Sequence, residues 1–355
     1  MKTFKVGFRE GVIIDPQRRT WSGDGPRPIA WAAWYPADDA ASELLTLIPA
    51  VSPLFIMGTV ARDAALSEDQ ERFPIVLLSH GTGGTASSLG WLAQRIAAAG
   101  LIAVGVDHHG NTASEPYRPE GFLCWWERPR DLSVVLDALA EKGPFVGRID
   151  MGRVSAAGFS LGGYTVISLS GAVTNMTLFA EWAREMPFGR GPREYPDLAD
   201  HIEPLLQESS VFRASWERQS ASYLDTRVNT AIALAPAPTV RAFTLDSLRT
   251  IKAPVTIMVG DADSEAPADS CSAWLHGNLP QSTLTLLGRD VGHYTLLCEG
   301  TERGKETEPA IWVDRPGVDR FSIHNRAASI ALSALLQDSF RDGRRQADLP
   351  GHSRQ

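Results

Sequence analysis

From Phe73 onward the chain alternates short, almost wholly apolar runs with amphipathic stretches, and few architectures can absorb that rhythm. "FPIVLLSHG" (73–81) is followed by "SLGWLAQRIAAAG" (88–100), which stops at a glycine as helices often do. "LIAVGVDH" (101–108) precedes "RPRDLSVVLDALAEKG" (128–143), and "RVSAAGFS" (153–160) precedes "LGGYTVISLSGAV" (161–173). Strands that are apolar on both faces need cover on both, so this alternation predicts an α/β protein with a mostly parallel central sheet flanked by helices. The rhythm breaks over 174–227, a polar segment with aromatic residues, prolines and short helical pieces. It resumes with "NTAIALAPAP", "PVTIMVGDAD" and "STLTLLG" and closes in a helix around 319–340. Residues 174–227 therefore read as an inserted helical cap, 1–173 and 228–345 as the domain around it, and 346–355 as a frayed tail. Ahead of Phe73, "TFKVGFREGVII" and "RPIAWAAWYPA" read as strands, the second closed by Pro36 and the Asp38-Asp39 pair, and 38–72 as irregular.

No repeat with a period of 20 to 50 residues runs through the chain, which excludes a solenoid or a propeller. With 43% hydrophobic and 21% charged residues among 355, there is enough chain to bury a large core. A formal net charge of -8, with no Lys/Arg-rich run against it, argues against nucleic acid or an anionic membrane as partner. Cys124, Cys271 and Cys298 are odd in number and far apart, a spacing that suits neither a disulfide framework nor zinc. No apolar stretch approaches 18 residues, and Arg9 and Glu10 interrupt the only early one. The expectation for the chain as written is a cytoplasmic protein without a membrane span; a removed signal peptide would make it secreted or periplasmic.

The pentapeptide G-F-S-L-G, Gly158 to Gly162, matches a pattern that a chain with 31 glycines meets by chance about 0.2 times. Its position is what gives it meaning, because it falls where an apolar strand ends and a helix begins, the setting of a nucleophile elbow. Glycines there let the helix pack closely behind the turn that exposes Ser160. A serine hydroxyl is a weak nucleophile near pH 7 and needs a histidine base oriented by a carboxylate, and behind such an elbow the acid precedes the histidine. "VGDADSEAP" offers Asp261 and Asp263 just past a strand, and "GRDVGHYTLL" offers His293 in a loop after the last strand. Asp290 stands too near His293 in sequence to be the first choice, and His324 falls in the C-terminal helix. His108 and His109 are adjacent at a strand end, so they point apart and make a poor chelate. No metal and no other cofactor is expected.

Acyl transfer also needs N–H donors aimed at the developing oxyanion. The amide of Leu161, directly after the serine, is one, and Thr82 in the glycine-rich "SHGTGGT" is the expected second. That loop is no phosphate cradle, since no Gly-Lys-Ser/Thr follows it and no G-x-G-x-x-G can be laid on it.

Taken together, "VGFR", "WYPA", "LLSHGTGG", "VDHHGNT", "RPRDLSVVLDAL", "GFSLGGYT", "FRASWERQSASYLDTRV", "VGDADSEAP" and "VGHYTLL" resemble the α/β-hydrolase superfamily. More closely the chain is similar to its predicted dienelactone hydrolases, a branch akin to platelet-activating-factor acetylhydrolases. The resemblance implies an α/β-hydrolase fold with a cap and hydrolysis of carboxylic esters through an acyl-enzyme. It places the acid three residues after a glycine, which points to Asp263. Strict dienelactone hydrolases carry a cysteine nucleophile where this chain has Ser160. The acetylhydrolases carry their acid after the strand that follows the cap, where "IALAPAPT" has no carboxylate.

The expected partner is a small-molecule ester or lactone, apolar or aromatic, because Trp125, Trp126, Phe179, Trp182 and Trp216 cluster in sequence near the site and in the cap. The same rings would equally serve core packing. Two alternatives stand beside hydrolysis: the same triad could transfer acyl groups or cleave amides or thioesters, and a member of the fold can also be a non-catalytic binding protein.

Overall fold

The computed structural model describes residues 2–186 and 191–347, with 338–347 described by backbone alone. Four strands come first: β1 (Lys5–Arg19), β2 (Pro26–Ala37), β3 (Leu44–Ile48) and β4 (Phe55–Arg62). Six follow at the spacing read from the sequence: β5 (Phe73–Ser79), β6 (Ile102–Val106), β7 (Ile149–Phe159), β8 (Val228–Leu234), β9 (Val255–Val259) and β10 (Ser282–Leu286). A short β11 (Glu299–Gly300) completes one sheet of order β10-β9-β8-β7-β5-β6-β2-β1-β4-β11, with β3 paired to β4. From β10 through β6 every pairing is parallel, whereas β2 joins β6 and β1 antiparallel.

The two faces of β5 explain why it reads as one unbroken apolar run. Ile75 and Leu77 enter one core, with Leu132, Val135, Leu136 and Leu139 of α3 (Arg128–Glu141) and Val166 and Ile167 of α4 (Leu161–Leu169). Val76 and Leu78 enter the other, with Leu92 and Ile96 of α1 (Gly90–Ala98) and Ala327, Ala331 and Leu335 of the long α12 (Arg320–Ala347). Each such side chain contributes roughly 1.5–3 kcal/mol on leaving water, so a polar residue at any of Ile75 to Leu78 is costly. Helix α2 (Pro119–Leu123) lies between β6 and α3 in the chain.

Between α4 and β8 the described residues form α5 (Met176–Arg184), α6 (Ile202–Glu208) and α7 (Ser210–Trp216), with no strand among them. Two small helices, α8 (Leu245–Thr250) and α9 (Trp274–Asn278), follow β8 and β9, and α10 (Glu302–Thr307) and α11 (Pro309–Trp312) follow β11. Residues 187–190 of the expected cap and 348–355 of the expected tail lie outside the described residues, while 346–347 continue α12. No helix among the described residues is long and apolar enough to cross a membrane.

One expectation is corrected. Residues 38–72 are not irregular but hold β3 and β4, and β4 runs parallel to β1 through the pairs Gly7–Ala61 and Phe8–Arg62. β3 pairs only with β4 and leaves Leu44 and Leu45 72% and 63% exposed, whereas β4 pairs with β3, β1 and β11. The pairing of β4 with β1 and β11 comes from segments distant in sequence, which a local pattern cannot reveal.

Candidate active site

The elbow is set by backbone geometry. Ser160 has φ 54° and ψ −117°, a left-handed conformation that a residue with a Cβ adopts only under constraint. Its N–H donates to Leu234 O at 2.8 Å, while its carbonyl accepts from Gly163 N at 2.8 Å and Ala237 N at 3.0 Å. Glycine is required on both sides by close approach. A Cβ on Gly158 would stand 2.1 Å from Gly162 O, and one on Gly162 would stand 1.9 Å from Ser79 O. Because a peptide is planar and trans, holding the Ser160 carbonyl on one side turns the Leu161 N–H to the other. Leu161 also opens α4, so its N–H has no acceptor within the helix.

The glycine-rich loop lies against this turn: a Cβ on Gly81 would be 3.3 Å from Ser160 Cβ. Thr82 occupies the second position of a turn closed by Gly84 N donating to Gly81 O at 3.2 Å, and Gly83 supplies the positive φ of 64° at the third. Asn111 Oδ1 accepts from Gly83 N at 2.7 Å and Tyr117 Oη donates to Gly83 O at 2.8 Å, which brace the loop from the segment after β6. His80 folds back on it. Its Nε2 accepts from His108 N at 3.2 Å, which leaves the proton on Nδ1 to donate to Gly81 O at 2.6 Å. Burial and the Arg128 charge hold this imidazole well below the usual histidine range, so it is neutral. Fixing Gly81 O in turn directs the Thr82 N–H away from it.

His293 starts a helical turn after β10, and Asp263 lies four residues past the end of β9. His293 Nδ1 is 2.6 Å from Asp263 Oδ2, and both are buried. The other oxygen, Oδ1, accepts from Glu265 N at 3.0 Å and Ala266 N at 2.7 Å, so the carboxylate cannot turn away from the ring. The imidazole rests on Phe159, the residue before the serine, with ring centres 4.7 Å apart. Ser160, Thr82, Asp263 and His293 thus all follow the C-terminal ends of parallel strands, where open α/β sheets gather their chemistry.

The competing carboxylates do not reach the ring by any described contact: Asp261 and Asp290 are exposed. His324 is a core residue. It stacks on Trp91 at 4.0 Å, donates from Nε2 to Thr295 O at 2.9 Å, and burial pushes its pKa down to about 3. His108 and His109 diverge, the first toward Ser79 and Asp131, the second donating from Nδ1 to Glu115 at 2.7 Å.

Among the tryptophans the structure separates roles. Trp126 is wholly buried, donates to Ser215 O and Oγ, and meets Trp216 of α7 edge-on at 5.4 Å, so it packs in the core. Trp216 packs on Phe212 and Trp126 in the same cluster. Trp125 stands edge-on to Tyr164 of α4 and to Phe179 of α5, whose ring lies 5.9 Å from Trp182. This second cluster is continuous with the helix that carries Leu161.

Two residues not singled out from the sequence also stand here. Glu194 lies against the glycine loop, its Cγ only 2.9 Å from where a Gly83 Cβ would be, and burial raises its pKa. Arg128 is buried beneath the loop and donates to His80 O. A signal for Arg128 exists, since it falls four residues before Leu132 on the stripe continued by Val135, Leu136 and Leu139.

No family model matches the chain. Over 208 residues it is 28% identical to a bis(hydroxyethyl) terephthalate hydrolase of Streptomyces coelicolor, a match covering 54% of this chain and 63% of that protein's length. In three dimensions it is similar to a ferulic acid esterase from Streptomyces cinnamoneus, with a TM-score of 0.61 and 17% identity over 94% of this chain and 90% of the other. The chain has an α/β-hydrolase fold. Ser160 lies at the turn between β7 and α4 in that fold.

Proposed function

We propose that this α/β hydrolase is a serine carboxylic-ester hydrolase that works through an acyl-enzyme, with Ser160 as nucleophile, His293 as base and Asp263 as its orienting acid. The observation that carries the reading is the 2.6 Å contact of His293 Nδ1 with Asp263 Oδ2 beside the strained Ser160 turn. Asp263 Oδ2 accepts a hydrogen bond from His293 Nδ1–H, which keeps the Nε2 lone pair free for the serine. Ser160 Oγ attacks the ester carbonyl while its proton passes to His293 Nε2. The Leu161 and Thr82 amides then take up the oxyanion. Collapse expels the alcohol, which receives the proton from His293, and water attacks the acyl-enzyme by the same route in reverse order.

The substrate class in this reading is a small to medium ester or lactone with an aromatic or apolar acyl group. Support comes from the Trp125, Phe179 and Trp182 cluster, and from the names of the two similar proteins, whose substrates are esters of aromatic acids. Membership of the dienelactone hydrolase branch, in a serine-nucleophile form, and a cap formed by 174–227 belong to the same proposal. The test is a panel of chromogenic aryl, alkyl and lactone esters assayed with wild type and Ser160→Ala. Loss of at least about 10³-fold in kcat with unchanged folding is expected for Ser160→Ala, and a variant with full turnover would overturn the assignment.

A further inference from the structure

A guanidinium buried beneath two amides that meet one reacting oxygen calls for an explanation. Arg128 is 2% exposed, and no described ion pair includes it. Removing such a charge from water is expensive, so a fold retains it only where the planar fork meets acceptors fixed in space. Those acceptors are His80 O and Ser79 Oγ (3.3 Å), both reached from Nη2, and Thr165 Oγ1, 3.2 Å from Nε, while Nη1 is buried without a hydrogen-bond partner among the described residues. Thr165 in turn donates to Leu161 O at 2.9 Å. The nearby Asp131 carboxylate is turned elsewhere, toward His108 Nδ1 at 2.7 Å and Arg18 Nη2 at 2.6 Å. His108 Nε2 meets Ser79 Oγ at 2.9 Å, so the serine hydroxyl that contacts Arg128 is itself held.

We propose that Arg128 is a positioning residue for the oxyanion site: it ties the His80 carbonyl, at the root of the Thr82 loop, to the Leu161 carbonyl, at the root of the nucleophile helix, through Thr165. The inference rests on the ester-hydrolase reading of Ser160. The two amides come from the turn after β5 and from the start of α4, and no described backbone bond links the Thr82 turn itself to the first turn of the helix. Beyond the Ser79–Gly158 pair, where β5 and β7 are hydrogen-bonded, the spacing of the two turns is held by side chains, and Arg128 with Thr165 spans it. With His80 O fixed by Arg128 and Gly81 O by the His80 ring, both peptides before Thr82 are locked in orientation. A shift of about 1 Å between donors matters little to ground-state binding but can cost on the order of 100-fold in rate.

The experiment compares Thr165→Val, Arg128→Lys and Arg128→Met with wild type and Ser160→Ala. Three readouts are used: the rate at which a fluorophosphonate labels Ser160, kcat and KM per titrated site on an aryl acetate, and the affinity of a trifluoromethyl ketone that forms an anionic hemiketal. In the labelling step Ser160 Oγ bonds to phosphorus, fluoride leaves and the proton goes to His293. Expected are losses of about tenfold in kcat for Thr165→Val and about 100-fold for Arg128→Met, KM within about twofold, and ketone affinity falling in step with kcat. Arg128→Lys, which keeps the charge but not the fork, should recover only part of the loss.

Wild-type kcat in Thr165→Val or in Arg128→Lys, or losses confined to KM, would overturn the proposal. If Arg128→Met does not fold, the other two variants decide it. Failure of the underlying reading looks different: Ser160→Ala then keeps its activity, or wild type is not labelled, and both proposals fall together.

Discussion

At the scale of single residues the choice between Asp261 and Asp263 shows what a side chain's surroundings decide. The two stand two positions apart past the same strand, yet one is exposed and the other buried, with one oxygen held by two amides and the other on His293. If Asp263 holds the imidazole, Asp263→Asn should lower kcat by about 10⁴-fold in the ester assay, because the amide presents the wrong partner to Nδ1. Asp261→Asn should stay within about twofold; the reverse pattern would move the acid by two residues. The glycines make a second prediction. Gly162→Ala puts a methyl group 1.9 Å from Ser79 O, a backbone atom that cannot step aside, so the elbow must open. A loss of roughly 3 kcal/mol or more in urea-melt stability is expected, accompanied by loss of fluorophosphonate labelling.

At the scale of elements, one carboxylate joins pieces far apart in the chain. Glu127, just before α3, takes Arg18 of β1 at 3.2 Å, Arg27 of β2 at 3.5 Å, Arg218 at 3.0 Å and the Ser215 hydroxyl of α7 at 2.7 Å. It therefore ties the antiparallel edge of the sheet to the helices inserted after α4. Arg18 keeps Asp15 and Asp131, but Arg27 is buried and Glu127 is its one ion-pair partner among the described residues, so Glu127→Ala leaves that cation without its counter-charge, and a loss of about 3–5 kcal/mol is expected by chemical denaturation. Glu127→Leu combined with Arg27→Leu should recover part of it, since removing both partners of a buried pair is far milder than removing one. A Glu127→Ala protein as stable as wild type would show that this junction is held by packing alone.

For the molecule as a whole, three buried histidines predict the response to acid. Burial and neighbouring Arg charges pull the folded pKa of His108 down to about 4, and burial puts His324 at about 3 and His80 well below its ordinary value. The unfolded chain binds these protons near pH 6.5, so between there and the folded values it carries more protons than the native state. Stability is fully present above about pH 6.5 and is lost as pH falls toward 4. Asp131 extends the loss to lower pH with the same sign. Against its own burial, Arg18 and the His108 bond hold it well below the carboxylate range. Urea midpoints at pH 7.5, 6 and 5 should fall steadily, with a slope approaching roughly 4 kcal/mol per pH unit near pH 5. Midpoints that are flat over that range would mean that these side chains are charged or solvated in the native state.

The alternation of β5 through β10 with their helices, and the elbow at Ser160, were legible because they rest on local periodicity and on glycines within a few positions of the serine. Strands β3 and β4 were not, since β4 is held by β1 and β11, far from it in sequence, and β3 by β4. Nor could a linear reading separate Trp126, sealed in the core, from Trp125 beside Tyr164 and Phe179, because the two are neighbours in sequence and differ only in what packs against them. Arg128 marks the boundary most sharply. Its place on an apolar helical stripe is written in the sequence, but the carbonyl and hydroxyl it meets come from just past β5 and from α4, and only folding brings those acceptors within reach of one guanidinium. Local order follows from covalent neighbours and turn sterics, whereas polar contacts across elements are decided by tertiary packing, which no single stretch of chain encodes.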